Sequence, residues 1–200
     1  QAIGHIPVDV HDLGVDMLSA SAHKFNGPKG VGFLYIRNGL KVVPYSDGGA
    51  QESGLRAGTE NLAGIVGMAV ALKNNCDALE ENARYIANLE SKLIDMLNSS
   101  SIEYTINGGT NRLPGLLSLS FPRADGEAIL HRLDLNGICI STGSACNSKS
   151  TEISHVLQAI RLEDSYAKGT IRISLGKINT EEDVKTIYKA LAKIFRHRTL

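Results

Sequence analysis

The chain has no surplus charge, no long apolar run and too few cysteines to staple itself, and each shortage removes a class of function. Its 21 basic and 21 acidic side chains cancel, so nothing supplies the electrostatic grip that nucleic acid or an anionic membrane surface requires. No apolar stretch approaches the roughly 20 residues that span a bilayer. Three cysteines, Cys76, Cys139 and Cys146, make no disulfide framework, and their odd number fits a reducing, cytoplasmic compartment. They also lack the CxxC spacing of a structural zinc site. Repeats and low-complexity tracts are missing. The chain opens on Gln1 with neither an initiator methionine nor a signal-peptide pattern, and it is already organised by Val10, so it reads as starting in the middle of a domain.

What is present is ordinary in bulk and informative in detail. An apolar share of 42% with 21% charged residues suits a globular chain, and 200 residues suffice for one good-sized domain or two small ones. Val15 to Ser21 reads as a strand ending at Ala22-His23-Lys24. Gly27-Pro28-Lys29-Gly30 is a turn, and Val31 to Ile36 is a second strand with period-two character. Val43 to Ala57 is a long loop, of the kind that is commonly functional. A helical pattern begins at Thr59 and runs to about Leu72, and a second covers Ala78 to Leu97. Further strands are predicted at Ile102–Ile106, Ile138–Ile140, Leu116–Phe121 and Thr170–Leu175. Helices are predicted at Gly126–Leu135 and Ile153–Ile160, and from the capping box at Thr180 to about Arg196. The pattern is α/β: two strands from a larger domain, then a small α+β domain. The boundary falls near residues 75–85, giving domains of 1–80 and 81–200.

Few residues invite chemistry. Cys146 lies among small and polar neighbours, Ser141 to Ser150, on a loop that cannot bury an apolar face. Cys139 alternates with apolar residues and reads as a small core residue, while Cys76 sits in a helical pattern without an evident partner. Lys24 follows an apolar strand, where partial desolvation would free its amine to form a Schiff base with an aldehyde cofactor. A lysine snorkelling at a strand end is the plainer alternative. Ser21 and His23 could donate to a phosphate or be loop polars. Arg56-Ala57-Gly58-Thr59 could hold an anion at a helix start, or Thr59 could be an ordinary N-cap. Arg172 points opposite to Ile171 and Ile173, so it is free either to clamp a carboxylate or to face solvent. A Schiff-base lysine, phosphate donors, a carboxylate clamp and a thiol together suggest pyridoxal phosphate acting on an amino acid.

With these residues on view, Ser19-Ala20-Ser21-Ala22-His23-Lys24-Phe25-Asn26-Gly27-Pro28-Lys29-Gly30-Val31-Gly32 resembles the cofactor-lysine segment of cysteine desulfurases, fold-type I enzymes of the aminotransferase class V group. Arg56 to Asn61 is similar to their phosphate-contact motif. Ser144-Ala145-Cys146 with Glu152, Ser154 to Leu157, and Ile171 to Gly176 resemble their catalytic loop and carboxylate-binding strand. The likeness runs from Gln1 to the last helix.

The resemblance implies roles. Lys24 would hold pyridoxal 5'-phosphate and then move protons at the substrate carbon. Ser21 and His23 would bind the phosphate, and Gln1 the phenolic oxygen. Thr59 would reach the phosphate of a partner subunit's cofactor, which implies a homodimer. Arg172 would hold the carboxylate of L-cysteine, and Cys146 would take its sulfur as a persulfide, releasing L-alanine, for delivery to an acceptor or scaffold protein. The long Cys146 loop is similar to that of the branch serving iron–sulfur cluster assembly and tRNA thiolation. Asp47 and Ala50 depart from the family's usual glycine-rich loop. The family's partner for the pyridine nitrogen would precede Gln1, so the chain resembles a C-terminal half, expected to be inactive alone unless an N-terminal half is supplied as a separate chain. Selenocysteine lyase or cysteine sulfinate desulfinase activity, or a non-catalytic fragment that docks sulfur acceptors, are the alternatives.

Overall fold

The computed structural model describes residues 1–142 and 153–196, and these divide into two compact units, Gln1–Glu81 and Asn82–Leu200. In the first unit, β1 (Met17–Ser21) pairs antiparallel with β2 (Gly32–Ile36), with Met17 opposite Ile36 and Ser21 opposite Gly32. Both strands begin later than the sequence predicts, by two residues and by one. Gly32 is fixed by contact, because a Cβ there would collide with the Ala20 carbonyl oxygen. Between the strands the chain makes a 3-10 turn, Ala22–Phe25, closed by Asn26 in the left-handed region at φ 65°. Gly27 N donates back to Ala22 O at 2.8 Å.

Helix α1 (Leu62–Asp77) starts three residues later than the sequence predicts. Thr59 is not its cap: the Asn61 side chain accepts from Gly64 N at 3.0 Å and takes that place. The loop before it, 43–57, includes a short 3-10 segment, Gln51–Gly54, and a bridge between Ser46 and Arg56. Helix α2 (Leu79–Asn98) runs from the first unit into the second.

The second unit folds on a three-stranded antiparallel sheet, ordered β3 (Thr105–Ile106), β4 (Leu116–Ser120), β5 (Thr170–Ser174). Strict alternation puts Leu117, Leu119, Ile171 and Ile173 on the core face, where Leu89, Leu93 and Leu97 of α2 are also fully buried. Ser118 and Arg172, paired in register, occupy the other face. Helices α3 (Gly126–Asp134), α4 (His155–Ala159), α5 (Asp164–Ala167) and α6 (Glu181–Arg196) complete the described residues. The predicted capping box on α6 forms: Asp183 N donates to Thr180 Oγ1 at 3.3 Å, and Thr180 N to Asp183 Oδ2 at 2.8 Å.

Three local predictions need correction. Only Thr105–Ile106 of the segment 102–106 is strand, paired with Ser120 and Leu119 of β4, while Ile102 N donates to Ser100 Oγ at 3.2 Å. Ile138–Ile140 forms no strand; a single bridge at Ser141 pairs with Arg172. Cys139 is exposed. The segment does alternate, but Ile138 and Ile140 pack against the core and so turn Cys139 outward. No helix among the described residues is long and apolar enough to cross a membrane.

Candidate active site

β1 hands its last residue, Ser21, to the turn that carries His23 and Lys24. That turn splits cleanly by burial. Ala22 and Phe25 are wholly buried, whereas Ser21, His23 and Lys24 are exposed. The apolar pair anchors the backbone and leaves the three polar groups outward. None of the three side chains has a hydrogen-bond or ion-pair partner among the described residues. The predicted desolvation of Lys24 is not provided by these residues: a 3-10 turn carries it, not the strand, and its amine stands in solvent. The backbone of the turn is tied instead, with His5 Nε2 2.8 Å from Lys24 O and Asn75 Nδ2 2.6 Å from Phe25 O.

Gln1 is exposed at the start of the same unit. Thr59 is exposed too, on the loop ahead of the Asn61 cap and outside α1. Its neighbour Arg56 folds onto its own loop, donating NH1 to Ala57 O at 3.1 Å and to Gly58 O at 2.8 Å.

In the second unit, Arg172 is half-buried on the sheet face opposite the core. Its NH2 donates to Ser141 Oγ at 3.3 Å, while its Nε is shielded from solvent without a partner among the described residues. A guanidinium with a donor in reserve suits a bidentate carboxylate. Thr142, next to Ser141, donates its hydroxyl to Glu127 Oε1 at 2.6 Å. Cys146 lies outside the described residues.

Ser21, His23 and Lys24 are thus brought together, and Arg172 gains a partner that the sequence did not reveal. Sequence reasoning missed His5, Asn75 and Ser141. None of the three carried a local signal: the burial that obliges Asn75 to find an internal partner is visible only in the fold.

Residues 1–187 match the family model described as Aminotransferase class-V. The chain belongs to this family. A cysteine desulfurase IscS from Clostridium botulinum (strain Hall) is 47% identical over 201 residues, covering 99% of this chain and 51% of the relative. A solved structure described as a NifS-like protein superposes with a TM-score of 0.87 at 41% identity, over 98% of this chain and 50% of that one. Another, described as SspA in complex with cysteine, matches with a TM-score of 0.70 at 34% identity, over 90% and 49% of the two chains. The chain spans about half the length of the curated relatives it matches. The fold is the α/β fold of the fold-type I class-V aminotransferases, and enzymes of this family depend on pyridoxal phosphate. The Ser21–Lys24 turn fits that group: an exposed amine for an aldehyde, with a hydroxyl and an imidazole beside it for a phosphate.

Proposed function

We propose that the chain is the cofactor-lysine and sulfur-carrying part of a cysteine desulfurase that converts L-cysteine to L-alanine. The first unit ends the cofactor domain, and the second is the small domain bearing the thiol and the carboxylate clamp. The observation that carries this reading is the Ser21–His23–Lys24 trio on one anchored turn, its side chains without partners among the described residues. Its support is the name of the relatives and the cysteine bound in the related SspA structure.

When bound, pyridoxal phosphate supplies an electron sink for the substrate carbon. Ser21 and His23 hold its phosphate and Gln1 its phenolic oxygen, with Thr59 serving the cofactor of a second copy in a homodimer. The Lys24 amine takes and returns the proton at the substrate carbon. Arg172 fixes the substrate carboxylate and so orients its carbon–sulfur bond. Cys146 accepts the sulfur as a thiolate, since the thiolate is the nucleophile, and the persulfide passes to an acceptor or scaffold protein, as in iron–sulfur cluster assembly. The enzyme works in the cytoplasm.

Since the chain spans about half the length of these relatives, we assign turnover to the full-length protein or to this chain with a separately supplied partner half. Alanine release from L-cysteine, assayed with parent and Lys24→Ala full-length protein, tests the reading. Parent activity lost in the variant supports it; unchanged activity contradicts it.

A further inference from the structure

Two side chains that the proposed chemistry leaves unused hold the Lys24 turn from outside. The consecutive carbonyls of Lys24 and Phe25 accept from His5 Nε2 at 2.8 Å and Asn75 Nδ2 at 2.6 Å. A carbonyl only accepts, so His5 must carry its proton on Nε2 and Asn75 must aim its amide nitrogen at Phe25. The Asn75 amide nitrogen also donates to Ala71 O, one helical turn earlier, at 2.9 Å, and its Oδ1 receives Asn26 Nδ2 at 3.4 Å. Asn75 is 3% exposed, so this amide is tolerated only because its polar atoms are engaged. Gly4 lets the His5 segment close onto the turn. It sits at φ 76°, and a Cβ there would lie 3.0 Å from Phe25 Cβ and 3.2 Å from Asn75 Cβ. Segments from three places in the chain therefore meet on the two peptide planes that follow the Lys24 Cα.

We infer that His5 and Asn75 are positioning residues for Lys24, fixing ψ at Lys24 and Phe25 and hence the direction in which the amine leaves the turn. The inference rests on the reading of Lys24 as the cofactor lysine. Its physical content is leverage: a long side chain magnifies rotation at its Cα, and productive sites tolerate only about 10–20° of misorientation. An apolar residue at position 75 would fill the space but leave the Phe25 carbonyl free to rotate.

The test uses the full-length protein with pyridoxal phosphate alone as probe. Borohydride reduction at short times and peptide mapping give the rate at which Lys24 is labelled and its share among all lysines. The parent labels Lys24 fastest. Asn75→Ala and His5→Phe slow Lys24 labelling roughly tenfold, as loss of orientation does elsewhere, and leave the exposed Lys29 unchanged. His5→Gln, whose amide still donates, restores the rate. His5 is only half-buried, so its variants keep the test decisive should Asn75→Ala fail to fold. Equal rate and share in His5→Phe and the parent overturn the inference, as does a fall in melting temperature with no change in the Lys24 share. No Lys24 labelling in the parent overturns the cofactor-lysine reading itself.

Discussion

Ser141 and Arg172 exchange both backbone hydrogen bonds of an antiparallel bridge, at 3.1 and 2.6 Å, and the Arg172 guanidinium also donates to the Ser141 hydroxyl at 3.3 Å. The residue proposed to hold the substrate carboxylate is therefore braced by one that stands five positions before Cys146 in the sequence. β5 sets its direction: Ile171 and Ile173 bury into the core, which sends Arg172 to the other face.

Replacing Arg172 by Lys removes the two-pronged geometry while keeping the charge. The expected result in the full-length protein is a rise in KM for L-cysteine of roughly 10- to 100-fold, the range of a lost hydrogen bond to a charged group. Ser141→Ala should cost about threefold to tenfold, because the bond it removes has a charged donor but is long, at 3.3 Å. Steady-state kinetics against L-cysteine concentration reads both.

Cys146→Ala should abolish sulfur transfer and leave cofactor absorbance intact, since no cofactor contact is assigned to that thiol. Visible spectra and a sulfide-release assay separate the two properties. Loss of both together would reassign the cysteine to a structural role.

Stability of the second unit should hinge on Glu90. Its side chain is 11% exposed and accepts from Arg112 NH2 at 2.8 Å and from the Gly115 backbone N–H at 2.7 Å. Glu90→Ala strands a partly buried guanidinium and a buried N–H, and should cost about 3–5 kcal/mol. Urea unfolding of parent and variant measures it. A change below about 1 kcal/mol, the level of exposed pairs, would show that the pair contributes only as a surface bridge does.

The α6 cap gives a pH dependence of defined sign. The Thr180 backbone N–H holds the Asp183 carboxyl below the ordinary carboxylate range. A lowered folded value means that this stability is present above the unfolded value, about 3.9, and is lost as pH falls through the folded value. The melting-temperature gap between parent and Asp183→Asn should accordingly be widest near neutral pH and close in acid.

How much of this was legible in the sequence depended on the distance between partners. The β1–turn–β2 unit was readable because Gly-Pro-Lys-Gly and period-two alternation are local signals. The Thr180 cap was readable because its partner is three residues away. The start of α1 was misplaced because Thr59 and Asn61 can both cap, and only geometry shows which oxygen reaches an N–H. Cys139 was misplaced because alternation fixes which residues share a face, not which face is inside. His5 and Asn75 had no local mark: their bonds to the Lys24 turn span 19 and 50 residues. Lys24, Arg172 and Cys146 stood out through motif resemblance, whereas the residues that brace them emerged only once the chain was folded.

The most direct test of the proposed function is peptide mass mapping of full-length protein incubated with L-cysteine and pyridoxal phosphate, with alanine quantified in the same sample. The expected result is a gain of one sulfur atom on the Cys146 peptide, matched by one alanine and abolished by Lys24→Ala. Alanine release with no sulfur on Cys146 in any acceptor-free sample, or sulfur on Cys146 that persists in Lys24→Ala, would contradict it.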